Sequence, residues 1–77
     1  FFTIELKVVK SGNKVRLSPH QISFHIRHPK NTFILVKDIN KKRLCMYLGS
    51  QIYELVENGL KTKPITEDFK TYLEKLF

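Results

Sequence analysis

Apolar and polar residues alternate from the start of the chain. The apolar positions are Phe2, Ile4, Leu6 and Val8. A period of two with β-branched residues predicts a half-buried strand whose apolar side faces the core. Ser11, Gly12 and Asn13 form a turn cluster, which predicts that this strand folds back as a hairpin through residue 17.

Further apolar segments predict the rest of a sheet. Ile22, Phe24 and Ile26 alternate with polar residues, and Pro19 separates them from the hairpin because it has no N–H for a strand ladder. Residues 33–36 are nearly all apolar, which is typical of a central strand. Residues 38–42 are polar and of turn length, and they lead into a strand over residues 43–48.

The pattern changes to a helical period after residue 48. Gly49 marks a sharp corner that favours a left-handed conformation, and Ser50 is a suitable N-cap. Ile52, Leu55 and Val56 share one helical stripe. Gly59 stands where a glycine commonly ends a helix.

A second helix is predicted near the end of the chain. Thr66 can cap it, and Glu67 and Asp68 suit the positive end of its dipole. Its apolar stripe consists of Phe69, Tyr72, Leu73 and Leu76. The predicted fold class is therefore α+β, with a small antiparallel β-sheet followed by two or three helices in a winged-helix-like arrangement. Both helices are expected to pack on a sheet face that includes Phe24, Ile26 and Ile34.

Length and composition indicate one small domain over residues 1–77, which we expect to be cut from a longer protein. Hydrophobic content of 42% favours a folded chain over a disordered one. No segment resembles a signal peptide or approaches the ~20 apolar residues of a membrane span, so no membrane partner is expected. The single cysteine, Cys45, fits a reducing, cytoplasmic location, and we interpret it as a buried strand residue.

The net charge of +7 is unevenly distributed. Residues 1–43 contain ten Lys or Arg and two acidic residues, whereas residues 44–77 contain four Lys or Arg and five acidic residues. A basic sheet half favours an anionic partner such as nucleic acid, an acidic peptide or a membrane surface. A solvated lysine-rich surface explains the same excess equally well.

The sequence offers little that indicates catalysis. His25 and His28 are predicted to point to opposite faces of a strand, with no nearby cysteine or carboxylate to complete a metal site. There is no P-loop, no dinucleotide-binding glycine pattern and no nucleophile elbow. We therefore expect no metal, no cofactor and no enzymatic activity of the domain by itself.

One segment resembles a known family. Gly49-Ser50-Gln51-Ile52-Tyr53-Glu54-Leu55, closed by Gly59 and preceded by Leu17-Ser18-Pro19-His20, is similar to the PqqD-like family, the precursor-peptide recognition elements of ribosomal-peptide (RiPP) modification. The resemblance covers roughly residues 16–77. It departs from the family in segment 60–65, which is too short to be the family's middle helix. Either that helix is missing, or residues 66–76 are the middle helix and the third has been cut off.

The resemblance implies a non-catalytic domain that captures a leader peptide by β-augmentation. The partners would be the precursor peptide and a modifying enzyme, either fused or separate. Strand 43–48 would be the docking edge and the final helix the opposite wall. The candidate peptide-binding residues are Arg43, Leu44, Cys45, Met46, Tyr47, Phe69, Lys70, Tyr72 and Leu73. A basic nucleic-acid-binding module is the alternative, and a structural domain of a larger assembly is a third hypothesis.

Overall fold

The computed structural model describes residues 2–76, without the side chains of Phe69, Leu73 and Leu76. The elements in chain order are β1 (Thr3–Val9), α1 (Pro19–Arg27), β2 (Thr32–Asp38), β3 (Arg43–Leu48), α2 (Ile52–Asn58) and α3 (Phe69–Leu76). Short 3-10 turns at Gly49–Gln51 and Gly59–Lys61 precede and follow α2. The predicted α+β class is confirmed. In the part of the chain described, no helix is long and apolar enough to span a membrane.

The three strands form a mixed sheet in the order β1-β2-β3. The predictions of a central strand at residues 33–36 and of a strand at residues 43–48 are confirmed. β3 is antiparallel to β2, with Leu35 opposite Met46, but β1 is parallel to β2, with Ile4 opposite Phe33. The prediction of a wholly antiparallel sheet is therefore wrong. Parallel neighbours need a crossover connection, and α1 provides it.

Residues 22–26, predicted as a strand, lie inside α1. The Ser18 hydroxyl accepts the backbone N–H of Gln21, and the Gln21 side chain accepts the backbone N–H of Ser18. This is a capping box, and Pro19 follows it at a helix position where no intrahelical N–H is needed. Phe24 and Ile26 are 38% and 42% exposed, so the alternating residues do not share a buried face.

The predicted hairpin over residues 1–17 is also wrong. Residues 10–17 form an irregular connection to α1 and no strand. Val15 is buried nevertheless, and Leu17 packs on the core beside it. Hydrophobic packing therefore fixes this connection without a backbone ladder.

The sheet buries apolar residues on both faces. On the face toward α1 and α2, the core consists of Val9, Val15, Ile34, Val36, Cys45, Tyr47, Ile52, Leu55 and Leu60. On the face toward α3, it consists of Phe33, Leu35 and Met46, with Phe2, Ile4, Leu44, Leu48, Ile65 and Tyr72 packed around it. We call these the α1 face and the α3 face. Along β3, Cys45 and Tyr47 belong to the α1 face and Leu44, Met46 and Leu48 to the α3 face, so both sides of this strand are covered.

The corner at Gly49 has a different origin from the one predicted. Gly49 is not among the described residues with positive φ. A Cβ at this position would instead collide with the Thr32 side chain, so glycine is needed for close approach. Ser50 is exposed and does not cap the helix; the Gln51 side chain accepts the Leu48 N–H at 2.9 Å.

The predicted end of α2 at Gly59 is confirmed. Gly59 has φ of 59°, and a Cβ there would meet the backbone of Asn13. Of the predicted stripe, Ile52 and Leu55 are buried, but Val56 is 44% exposed. One turn of α2 therefore holds the helix on the sheet.

Asp68 takes the capping role at α3 that the sequence assigned to Thr66. Its two carboxylate oxygens accept the backbone N–H and the hydroxyl of Thr71, at 3.2 and 2.8 Å. These hydrogen bonds lower the pKa of Asp68. Of the predicted stripe, Tyr72 contacts Phe33 edge to face, with ring centroids 6.1 Å apart, while the side chains of Phe69, Leu73 and Leu76 lie outside the description.

Candidate functional site

The peptide-binding residues predicted on β3 are mostly inaccessible. Cys45, Met46 and Tyr47 are fully buried, and only Arg43 and Leu44 are partly exposed. Burial raises the pKa of the Cys45 thiol, which is unfavourable for a reactive nucleophile. The Tyr47 hydroxyl donates to the carbonyl of Thr62 at 3.0 Å, and burial raises its pKa. These side chains therefore hold the fold together.

The outer edge of β3 already carries a partner at its centre. The Met46 N–H donates to the Thr66 carbonyl at 3.0 Å, and the Met46 carbonyl accepts the Ile65 N–H at 2.8 Å. A peptide could add along this edge only by displacing residues 65–66. On the predicted opposite wall, Lys70 is exposed and Tyr72 is half-buried, whereas the Phe69 and Leu73 side chains are not described.

Arg43 has a structural role at the start of β3. Its guanidinium bonds the buried Asp38 carboxylate at 3.2 Å and lies 3.8 Å from Glu67. The hydrogen bond to Asp38 raises the pKa of Arg43. The Arg43 guanidinium also donates to the Leu60 carbonyl at 3.4 Å. Arg43 therefore connects the turn after β2 with the segment after α2.

A different set of polar side chains converges between β1 and α1. Glu5 and Lys7 are two residues apart on β1, so they point to the same side, which is the α1 face. Gln21 and His25 are four residues apart on α1 and face them. We call these four residues the Glu5 cluster.

Lys7 is held in place within the cluster. Its Nζ donates to Gln21 Oε1 at 2.9 Å and lies 3.6 Å from Glu5 Oε2. The side chains of Lys7 and Glu5 are only 24% and 26% exposed. An ammonium and a carboxylate are therefore kept side by side in a partly desolvated place, where their charges act more strongly than at an open surface.

The inner part of the cluster has unused hydrogen-bonding capacity. His25 is 1% exposed, and its Nε2 lies 3.7 Å from Glu5 Oε1, which is too long for a hydrogen bond. Among the residues described, no hydrogen-bond partner is found for Glu5 Oε2 or for either ring nitrogen of His25. Buried polar atoms without partners are rare in folded proteins and mark places where a ligand, ion or water can bind.

Burial lowers the pKa of His25 below its usual 6.5, although the Glu5 charge opposes this shift. The imidazole is therefore neutral at pH 7. Lys7 is then the cation of the cluster and Glu5 its anion.

Two hollows adjoin the cluster along β1. At one end, a hollow of about 430 Å³ is lined by Lys7 and by three further basic residues, Lys10, Lys14 and Arg16; we call it the Lys14 hollow. At the other end, a hollow of about 550 Å³ is lined by Thr3, Phe24, Arg27, His28 and Lys30, among others; we call it the Phe24 hollow. Glu5 lies between Thr3 and Lys7 on the same face of β1. The cluster is thus flanked by positive charge on both sides.

The cluster offers a metal ion few ligands by itself. Within the described part of the chain, no group of three or more His, Cys, Asp or Glu side chains is placed to hold a metal. Glu5 supplies one carboxylate, whose Oε2 accepts no hydrogen bond among the described residues and lies 3.6 Å from Lys7 Nζ. Mg²⁺ is commonly bound through one or two carboxylates together with phosphate oxygens of the substrate, so a single carboxylate fits an ion that arrives with its substrate.

Comparison of the chain with models of known protein families, with curated proteins and with solved structures finds no significant match. The similarity to the PqqD-like family stays a prediction. Its Gly49-led phrase does open a helix, but residues 22–26, predicted as a strand after Leu17-Ser18-Pro19-His20, lie in a helix in the structure.

Sequence reasoning missed the Glu5 cluster for a definite reason. The alternation in β1 suggested that the polar positions face solvent and the apolar ones the core. In the structure Glu5 and Lys7 face α1, whereas Leu6 and Val8 are 71% and 57% exposed. The available signal was a Glu-x-Lys pair on one side of a strand. This pair indicates a site only when it is known that a helix places Gln21 and His25 over it.

Proposed function

We propose that the domain binds nucleic acid and hydrolyses its phosphodiester bonds with the help of a divalent cation. The observation that carries this proposal is the Glu5–Lys7 ion pair between two basic hollows: Glu5 Oε2 accepts no hydrogen bond among the described residues, and it lies 3.6 Å from an ammonium that Gln21 holds in place. The proposal develops the nucleic-acid alternative from the sequence and departs from the expectation of a non-catalytic domain.

The charge distribution supports a polyanionic ligand. β1 rises about 3.3 Å per residue, so the row from Thr3 to Lys7 extends over about 13 Å. Residues from both hollows lengthen this row, with Arg27 and Lys30 on one side and Lys14 and Arg16 on the other. A nucleic-acid strand lying along it would place successive phosphates against successive cations.

The two central residues suit different parts of the reaction. Glu5 would be a ligand of the cation, which polarises the phosphoryl group and lowers the pKa of a bound water. Lys7 would donate a hydrogen bond to a non-bridging phosphate oxygen, where negative charge grows in the transition state. Gln21 keeps the Lys7 ammonium on that side of the strand.

The net reaction is hydrolysis. The water oxygen forms a bond to phosphorus as one ester P–O bond breaks. The water proton passes to solvent, and the leaving alkoxide takes up a proton. No oxidant, reductant or second substrate is needed.

Glu5→Gln tests the proposal, with cleavage of labelled single-stranded and duplex DNA and RNA measured in Mg²⁺, in Mn²⁺ and in EDTA. We expect the unmodified protein to cleave in Mg²⁺ or Mn²⁺ and not in EDTA. Glu5→Gln should lose cleavage while it still binds, because the amide keeps the shape but is a poor ligand for a hard cation. Glu57→Gln changes the charge of an exposed residue of α2 equally and should cleave like the unmodified protein.

The two parts of the proposal fail separately. Binding without cleavage in either metal would leave nucleic-acid binding and overturn hydrolysis. Absence of binding at low salt would overturn both. Leader-peptide capture at β3 is less well supported, because Met46 is paired with residues 65–66 and its neighbours are buried.

A further inference from the structure

The Phe24 hollow contains two aromatic rings close together at the end of α1. Phe24 is 38% exposed, and its ring centroid lies 4.9 Å from that of His28 at an interplanar angle of 44°. The Phe24 ring also packs edge to face against the buried His25 ring, with centroids 5.6 Å apart. A large apolar ring is thus kept at the surface by packing on a residue of the Glu5 cluster.

The surroundings of these rings are cationic. Arg27 and Lys30 line the same hollow and are exposed. The Arg27 guanidinium is held near the helix by a 3.5 Å contact from Nε to the carbonyl of Ser23. The hollow therefore combines an exposed aromatic ring, with a second ring tilted against it, and two positive charges, which together suit a nucleotide: a base on the Phe24 ring and its phosphate on the cations.

The Phe24 hollow lies about one nucleotide spacing from Glu5. Thr3 lines the hollow and lies two residues before Glu5 on the same face of β1, about 6.6 Å away along the strand. That distance is close to the separation of neighbouring nucleotides in an extended strand. A phosphate at Glu5 and Lys7 would therefore place the adjoining nucleoside beside Thr3, at the hollow that Phe24 also lines.

We propose that the Phe24 hollow binds one unpaired nucleobase next to the phosphate held by the Glu5 cluster. The inference rests on the proposed function, and it specifies the substrate as a single-stranded or locally unpaired nucleic acid. A base inside a duplex stacks on its neighbours and does not present its face to Phe24 and His28. The hollow thus selects the state of the strand, while the phosphates supply most of the affinity.

The test compares two fluorescein-labelled DNA 12-mers of equal charge. One has all its bases, and the other has three consecutive abasic sites at its centre. Because the phosphates are the same, a difference in Kd reports the contribution of the bases. For the unmodified protein we expect the intact strand to bind roughly tenfold more tightly, since one stacked base commonly gives an effect of that order.

Substitutions at Phe24 locate this preference. Phe24→Ala should bind both strands with the weaker affinity, and Phe24→Trp should retain the preference because it keeps a flat ring. Tyr53→Ala removes an aromatic ring that is 67% exposed on α2, outside the hollow, and should behave like the unmodified protein. Circular dichroism of each variant checks that the fold is kept.

Equal affinity of the unmodified protein for the two strands would overturn the inference, as would a loss of affinity in Phe24→Ala that is the same for both. Either result together with Glu5-dependent cleavage would leave the proposed function in place. If neither strand binds at low salt, the proposed function and the inference fail together.

Discussion

His25 lies in an environment very different from that of a free side chain. It is buried against a carboxylate that its ring nitrogens do not reach within hydrogen-bond distance. Burial disfavours the charged imidazole, and the Glu5 charge favours it, with burial the larger effect. A neutral ring adds no second positive charge beside Glu5, so Lys7 is the cation that pairs with this carboxylate.

We predict that the folded protein loses stability as the pH falls below about 6.5, the ordinary pKa of histidine. The pKa of His25 is lower in the folded state than in the unfolded one, so the unfolded state takes up its proton first. The stabilising contribution is therefore complete above pH 6.5 and is lost toward lower pH. Urea unfolding of the metal-free protein between pH 7.5 and 5 measures it.

Glu5→Gln provides the second arm of this test. Removing the Glu5 charge removes an influence that raises the pKa of His25, so a histidine titration followed by NMR should show a lower pKa in the variant. A pKa of His25 above 6.5 in the unmodified protein would contradict the burial of a neutral ring.

At the scale of elements, α1 decides how the chain is arranged. Residues 22–26 alternate as a strand does, and their β-branched and aromatic side chains favour the same assignment. The capping box of Ser18 and Gln21 and the proline that follows it nevertheless begin a helix. Local capping chemistry prevails here over a short alternating pattern, and the helix makes β1 and β2 parallel.

Gln21 connects the start of α1 to the candidate site. Its Oε1 accepts both the Ser18 N–H and the Lys7 ammonium, each at 2.9 Å. Gln51 has a similar capping role before α2, where its side chain accepts the Leu48 N–H and donates to the Lys63 carbonyl. The two glutamines offer a matched pair of variants, because the hydrogen bonds described for the Gln51 side chain go to Leu48 and Lys63 and not to the Glu5 cluster.

We predict that Gln21→Ala and Gln51→Ala each lower the free energy of unfolding by about 0.5–1.5 kcal/mol, because each removes a capping hydrogen bond. Only Gln21→Ala should also reduce nucleic-acid cleavage, because it releases the Lys7 ammonium. Gln21→Glu should keep both properties, since a carboxylate accepts the same two donors. Equal activity of the two alanine variants at equal stability would show that Lys7 needs no anchor.

Sequence reasoning found the elements whose signals lie in a few neighbouring residues, and it missed those that depend on how distant segments pair. Gly59 ends α2 as predicted, because positive φ is a local requirement. The central position of β2 was visible in its continuous apolar run. The direction of β1, by contrast, depends on whether the connection after it is a turn or a helix, and that choice also decides which face Glu5 and Lys7 occupy. The error at α1 therefore concealed the candidate site.

At the scale of the whole molecule, basic residues lie both around β1 and on α3. The Lys14 hollow lies at the end of β1, and the Phe24 hollow lies between the start of β1 and the end of α1. On the α3 face, Tyr72 packs against Phe33, and the α3 sequence carries Lys70 and Lys75 on exposed positions. If nucleic acid follows β1, the lysines and arginines of the two faces should differ in their effect on binding, even though they contribute equally to the net charge.

We therefore predict different salt dependences for two double variants. Lys14→Gln with Arg16→Gln removes two cations from the Lys14 hollow, and Lys70→Gln with Lys75→Gln removes two from α3. Each cation that neutralises a phosphate of a single strand contributes about 0.7 to the slope of log K against log salt concentration. For the first variant we expect the magnitude of this negative slope to fall by about 1.4, measured by fluorescence anisotropy between 50 and 300 mM KCl. The second variant should leave the slope nearly unchanged, because its lysines lie away from the proposed path of the nucleic acid.

Equal decreases in both variants would mean that the ligand responds only to net charge, and the path along β1 would then be wrong.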